Sequence, residues 1–188
     1  MKKIRHISVA EYMQLAENEK SVYDLLIGSV TPGKVVMAKF IDRFVEVSPK
    51  QEDLWDLTYS DIIELKTALA ELEEADLVME LARIVYGIHD ITIVSVIDLQ
   101  GFNWIIEAMA EMIETEKREL AYEPSEKEKA AGIDELERFG FMPTIDSLAA
   151  GNMSEYNQVL SQPYHKVFQK LCYQKTINSI TKKLSHVG

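Results

Sequence analysis

YSDIIELKTALAELEEADLVMELARIVYGI, residues 59–88, carries apolar side chains at intervals of three and four, interrupted only between Leu72 and Leu77. A helix turns about 100° per residue, so this spacing gathers side chains on one side of a cylinder. Ile62, Ile63, Leu65, Ala68, Leu69 and Leu72 form one such face, and Leu77, Val78, Leu81, Ile84 and Val85 form the next. Gly87 is the stop. Two amphipathic helices in direct succession read as a helical hairpin, and the rest of the chain is consistent with the same class. The expected fold is all-α: an irregular multi-helix bundle ending in a long basic helix.

Upstream, Ser8 and Glu11 have the spacing of a capping box, in which the serine oxygen accepts from an unpaired backbone N–H and the glutamate reaches back. EYMQLAENEK then reads as a short helix, and SVYDLLI as another ending at Gly28. Thr31 and Pro32 are expected to open a buried helix whose face is Val35, Val36, Ala38, Phe40, Ile41, Phe44 and Val45. Ser48–Pro49 breaks the chain, and EDLWDL gives a turn of helix or 3₁₀ structure. ITIVSVIDL, residues 91–99, is β-like but has no evident pairing partner, so it reads as a buried connector or helix entry.

FNWIIEAMAEMIETEKREL is a long amphipathic helix, with Trp104, Ile105, Ala108, Met109, Met112 and Ile113 inward and Glu107, Glu111 and Glu114 outward. YEPSEKEKAAG has the composition of a linker. It separates a main body, residues 1–122, from a C-terminal helical region, 123–188. That region holds three short helical pieces and a final helix from Pro163, where Tyr164, Val167, Phe168, Leu171, Ile177, Ile180 and Leu184 recur at helical spacing. No apolar run approaches the roughly 20 residues that span a bilayer. The polar start, MKKIRHISVAEYMQLAE, has no signal-peptide core. A soluble, unprocessed protein is expected.

Charge divides the chain sharply. All 31 acidic side chains and 15 of the 20 basic ones precede Pro163, while the remainder holds five lysines and no acid. A body this acidic repels nucleic-acid phosphates and anionic membranes, because binding there depends on clustered Lys and Arg. Neither is expected as a partner. The single cysteine, Cys172, excludes an intrachain disulfide and a thiolate zinc cluster. Cys172 reads as a small apolar residue, although His165 shares its helix face.

No phosphate-cradling loop, nucleophile elbow, dinucleotide fingerprint or Glu-x-x-His pair is present. His89–Asp90 reads as a loop cap. The carboxylates Glu52, Asp53 and Asp56, followed by Glu73 and Asp76, have a spacing that resembles the magnesium site of all-α nucleoside triphosphate pyrophosphohydrolases, where hard oxygen ligands hold the ion. The family prefers glutamates in the first motif, and two of these three positions are aspartate. This is the alternative reading; the favoured one has no catalytic residues and no cofactor.

The favoured reading comes from residues 127–184, KEKAAGIDELERFGFMPTIDSLAAGNMSEYNQVLSQPYHKVFQKLCYQKTINSITKKL. The short helix ending at Gly151, the turn-helix NMSEYNQVL and the opening PYHKVFQKL of a Lys-rich terminal helix resemble tailed-bacteriophage morphogenesis proteins, the tail-assembly-chaperone-like group especially. ISVAEYMQL and LTYSDIIELKTALA are similar to that group's entry helix and capped helix. The resemblance implies a non-enzymatic structural or assembly protein, a tail or neck adaptor or chaperone. It would act in the host cytoplasm during assembly, or in the virion, as a homo-oligomer and with other virion or tail proteins. In the terminal helix Tyr164, Lys166, Val167, Phe168, Lys170, Leu171 and Lys175 form an apolar stripe bordered by positive charge, which suits an acid-lined partner groove. Packing on the chain's own acidic body is the intramolecular counterpart of that reading.

Overall fold

A computed structural model describes residues 6–29 and 33–184. The chain is mostly helical, 69%, with a minor two-stranded hairpin and a long C-terminal helix. It divides into two compact units, one of residues 1–54 and 64–109 and the other of residues 55–63 and 110–188. Among the described residues no helix is long and apolar enough to cross a membrane.

In the first unit Ser8 closes its capping box with Glu11 at the start of α1 (Val9–Met13), and α2 (Glu17–Ile27) follows. The predicted helix start at Thr31–Pro32 lies outside the described residues. The helix expected to continue from it is a β-hairpin instead: β1 (Val36–Phe40) pairs antiparallel with β2 (Arg43–Val47), with Val36 opposite Val47 and Phe40 opposite Arg43. The burial of Val36 and Ala38, both fully enclosed, alternates with the more open Met37 and Lys39, which is the period of a strand. What decides the matter is a distant partner. Ala38 bridges to Val94, the Ser95 N–H donates to the Met37 carbonyl at 2.7 Å, and the Met37 N–H donates to Asp98 Oδ2 at 3.1 Å. The ITIVSVIDL segment is thus the buried connector expected, and its exposed backbone groups find their partners on β1 and at Ile7 and Val9.

The helical hairpin is present as α3 (Tyr59–Glu71) and α4 (Glu74–Leu81). A wider turn, Ala82–Tyr86, continues α4 and stops at Gly87, whose φ of 71° a side chain disfavours. Tyr86 fixes the approach to the hairpin, since its hydroxyl donates to the Lys34 carbonyl at 2.6 Å and accepts from Trp104 Nε1 at 2.9 Å. Leu65, Leu81, Ile84, Val85, Phe102 and Ile105 make the core of this unit. α5 (Asn103–Leu120) follows, with Ile105, Met109 and Met112 buried and Glu107, Glu111 and Glu114 exposed, as its periodicity predicts.

The second unit takes the end of α5, α6 (Glu126–Ala130), α7 (Met142–Leu148), α8 (Tyr156–Leu160) and α9 (Tyr164–Leu184). Residues 55–63 return to it. Its core is Leu57, Tyr59, Ile62, Met112, Ile145, Ala149, Tyr164 and Val167.

Candidate functional site

α9 begins anchored. The Tyr59 N–H donates to the Gln162 carbonyl at 2.9 Å and the Tyr164 N–H donates to the Leu57 carbonyl at 2.8 Å, a short backbone ladder that fixes where the helix starts. Tyr164 then stacks between Trp55, 5.5 Å away between ring centres, and Tyr59 at 5.7 Å, while Phe168 tilts onto Trp55 at 5.0 Å. The Tyr164 hydroxyl donates to Glu116 Oε1 at 2.5 Å. Burial, then the hydrogen bond to Glu116 and its negative charge, push this phenol far above its ordinary pKa. Burial and the same carboxylate raise Tyr59 to about 12, against a hydrogen bond with Thr144 that lowers it. Beside the cluster His165 Nδ1 lies 3.0 Å from Asp56 Oδ1, off the line of a hydrogen bond.

The seven residues predicted to meet a partner therefore divide. Tyr164 and Val167 are buried in their own unit, Phe168 and Leu171 are half-buried, and Lys166, Lys170 and Lys175 are exposed. The aromatic and aliphatic part of that stripe is occupied internally.

Beyond Leu171 the helix changes character. Lys175 donates to the Glu119 carbonyl at 2.7 Å, and Lys182 lies 3.8 Å from Glu128. Gln174, Asn178, Ser179 and Lys182 line a groove of about 770 Å³ against Leu120 to Glu123, so the side turned to the unit is polar here. Hydrogen bonds from Ser125 and Tyr122, with Lys182 nearby, hold Glu128 down to about 2. The apolar residues of this half stand elsewhere: Tyr173 is 60% exposed, Ile177 42%, Ile180 48% and Leu184 68%. At about 100° per residue they share one line, about 160° round from the line of Tyr164, Val167, Phe168 and Leu171.

α9 thus has two apolar faces on opposite sides, one seated and one facing away. The apolar positions from Tyr164 to Leu184, expected to recur at helical spacing, do not lie on one face. Leu171 and Ile177 are six positions apart, about 240° of rotation, and cannot share a face. That interval was the available signal for the outward face.

The carboxylates of the alternative reading are not drawn together. Glu52 and Asp53 are exposed ahead of the turn Leu54–Asp56, where the Glu52 carbonyl accepts from Lys34 Nζ at 2.6 Å. Asp56 faces His165, while Glu73 precedes α4 and Asp76 lies in its first turn. Among the described residues no three His, Cys, Asp or Glu side chains gather as a metal ion requires. Glu114 pairs with Lys117 at 2.7 Å on the open face of α5. Asp90 is the cap expected of it, accepting from the Thr92 N–H at 2.9 Å and hydroxyl at 2.6 Å, contacts that lower its pKa. Burial raises the Cys172 thiol, away from the thiolate a nucleophile needs.

No protein family, curated protein or solved structure matches the chain.

Proposed function

We propose that this is a non-enzymatic structural or assembly protein that works by offering the outer half of α9 to another protein. The observation that carries the reading is the unoccupied line Tyr173, Ile177, Ile180 and Leu184 on a helix whose root is locked into its own core. Covering these partly exposed side chains contributes about 1 kcal/mol each, one part of what would hold a partner along the helix. The seated root removes much of the ordering cost, since the helix is already formed before the partner arrives.

The setting proposed is tailed-bacteriophage morphogenesis, in the host cytoplasm during assembly or in the virion, with tail or neck proteins as partners. The likeness of residues 127–184 to the tail-assembly-chaperone-like group supports it. Assembly of copies into a homo-oligomer, through surfaces other than this line, belongs to the same reading.

The test is co-expression with the products of the neighbouring genes, followed by mass measurement of the purified chain by light scattering. A stoichiometric complex that Ile177→Ser/Ile180→Ser dissolves supports the proposal. A chain that stays at its monomer mass of 21.5 kDa beside each of them overturns it.

A further inference from the structure

The occupant of the outer half of α9 can be narrowed by its chemistry. Tyr173, Ile177, Ile180 and Leu184 are spaced four, three and four apart, which is the a/d alternation of a coiled-coil seam and the width that one helix fills. The charge on and beside the line of the seam is of one sign, Lys166 and Lys170 continuing that line ahead of Tyr173. Lys166 and Lys170 stand seven and three positions before Tyr173 on the same side, Lys170 lies 5.6 Å from the Tyr173 ring, and Lys183 flanks Leu184. α9 contains no acidic residue at all.

Two occupants from within the protein are disfavoured on these observations. A second α9 brings three more outward lysines, Lys166, Lys170 and Lys183, and no carboxylate to the seam, and like charge there selects against pairing. The chain's other helices do not fit either. α2 exposes Val22 and Leu25, and among the described residues no helix besides α9 exposes more than two large apolar side chains. α5, the longest acidic one, exposes Ile106 alone beside Glu107, Glu111 and Glu114.

We infer that the seam receives an amphipathic helix of a different protein, apolar at a and d and bordered by Glu or Asp. This rests on the proposed role of α9 and specifies the partner's chemistry.

The probes are two labelled synthetic peptides of about four heptads, with leucine at a and d and either glutamate or lysine at e and g. Their binding to the full chain is read by fluorescence anisotropy at physiological ionic strength. The glutamate peptide is expected to bind about tenfold tighter than the lysine peptide, three exposed charge pairs being enough for that ratio. The preference is expected to vanish near 1 M salt, where charges beyond roughly 3 Å are screened. Lys166→Glu/Lys170→Glu should remove or invert it, and Ile177→Ser/Ile180→Ser should abolish binding of both peptides. Equal binding, a preference for lysine, no binding by either peptide, or a homodimer split by Ile177→Ser/Ile180→Ser overturns the inference. If co-expression yields a complex sensitive to Ile177→Ser/Ile180→Ser while the glutamate peptide has no advantage, the role of α9 stands and the acidic partner falls.

Discussion

The division of α9 into a seated half and an outward half makes a quantitative prediction for paired substitutions. Tyr164 is 2% exposed and sandwiched between Trp55 and Tyr59, so Tyr164→Ala removes an aromatic ring from a closed core. Such truncations cost about 3–5 kcal/mol, the transfer of the ring plus the cavity left behind. At about 2–4 °C per kcal/mol for a chain of this length, a loss near 4 kcal/mol lowers the melting temperature by roughly 8–16 °C. Tyr164→Phe keeps the ring and loses the bond to Glu116. That carboxylate is half-buried and water can replace the hydroxyl, so the cost is at the low end for a charged acceptor, about 1.5 kcal/mol. Ile177→Ser and Ile180→Ser, although also apolar-to-polar on the same helix, should each stay within about 0.5 kcal/mol of zero. Thermal melting followed by circular dichroism gives the ranking. Fluorescence adds locality, since the two tryptophans fall one in each unit and Trp55 stacks on Tyr164. A double serine variant that melts as early as Tyr164→Ala would show that the outer apolar line is buried, and the two-faced helix would be wrong.

Ile41 occupies the hairpin turn at φ 57° while 93% exposed, a conformation that costs an L-residue about 1–2 kcal/mol, so Ile41→Asn should raise the melting temperature by about 2–4 °C; a fall would refute the strain. Tyr59 has its folded pKa raised from 10.0 to about 12 by burial, so the stability linked to it is complete below pH 10 and lost as pH rises towards 12. Ultraviolet difference titration should find this phenol protonated until the unit opens, and Tyr59→Phe should blunt the alkaline transition; a Tyr59 that ionises near 10 in the folded protein contradicts its burial. Glu128 runs the other way, lowered from 4.5 to about 2, so its contribution is present above pH 4.5 and lost as pH falls through that window. Glu128→Gln should flatten the acid limb of stability there, and an identical limb in both proteins would count against the Ser125 and Tyr122 contacts.

The helices were legible where their pattern was local. In α3, α4 and α5 the periodic residues named from spacing include the buried Ile62, Leu65, Leu81, Ile84, Ile105 and Met109, because a helix satisfies its backbone from its own neighbours and needs only an apolar side. The hairpin was not, for a physical reason. Val36, Ala38 and Phe40 recur at two while Val36, Phe40 and Phe44 recur at four, so both periods fit the same letters. The choice is made by Val94 and Ser95, more than fifty positions away, which offer β1 an edge to bond. Residues 55–63 pose the same problem, since nothing local marks the ladder between Leu57, Tyr59 and residues 162–164. In the candidate site the aromatic residues of α9 were visible as apolar helix positions, but which side they faced depended on the six-residue interval after Leu171.

The charges of α9 have a consequence that separates the proposed partner from a nucleic acid. The Lys182–Glu128 ion pair is exposed and contributes little stability, and Lys175 donates to a backbone carbonyl; the outward Lys166, Lys170 and Lys183 act on whatever approaches. An acidic helix approaching the chain meets two opposing fields. At about 0.01 M salt the screening length is near 30 Å, so the net charge of -11 is felt as a whole and repels it. At about 0.15 M the length is near 8 Å, the remote carboxylates drop out, and the three lysines at the seam remain. At about 1 M even these are screened and only apolar contact is left. Affinity for a glutamate-bordered helix should therefore pass through a maximum at intermediate salt. A polyanion held by counterion release behaves differently, since its affinity falls steadily as salt rises. Titrating the glutamate peptide across this range decides between them: a monotonic decline from the lowest salt would mean that the lysines alone set the field at the seam, and that the acidic body has no part in choosing what binds there.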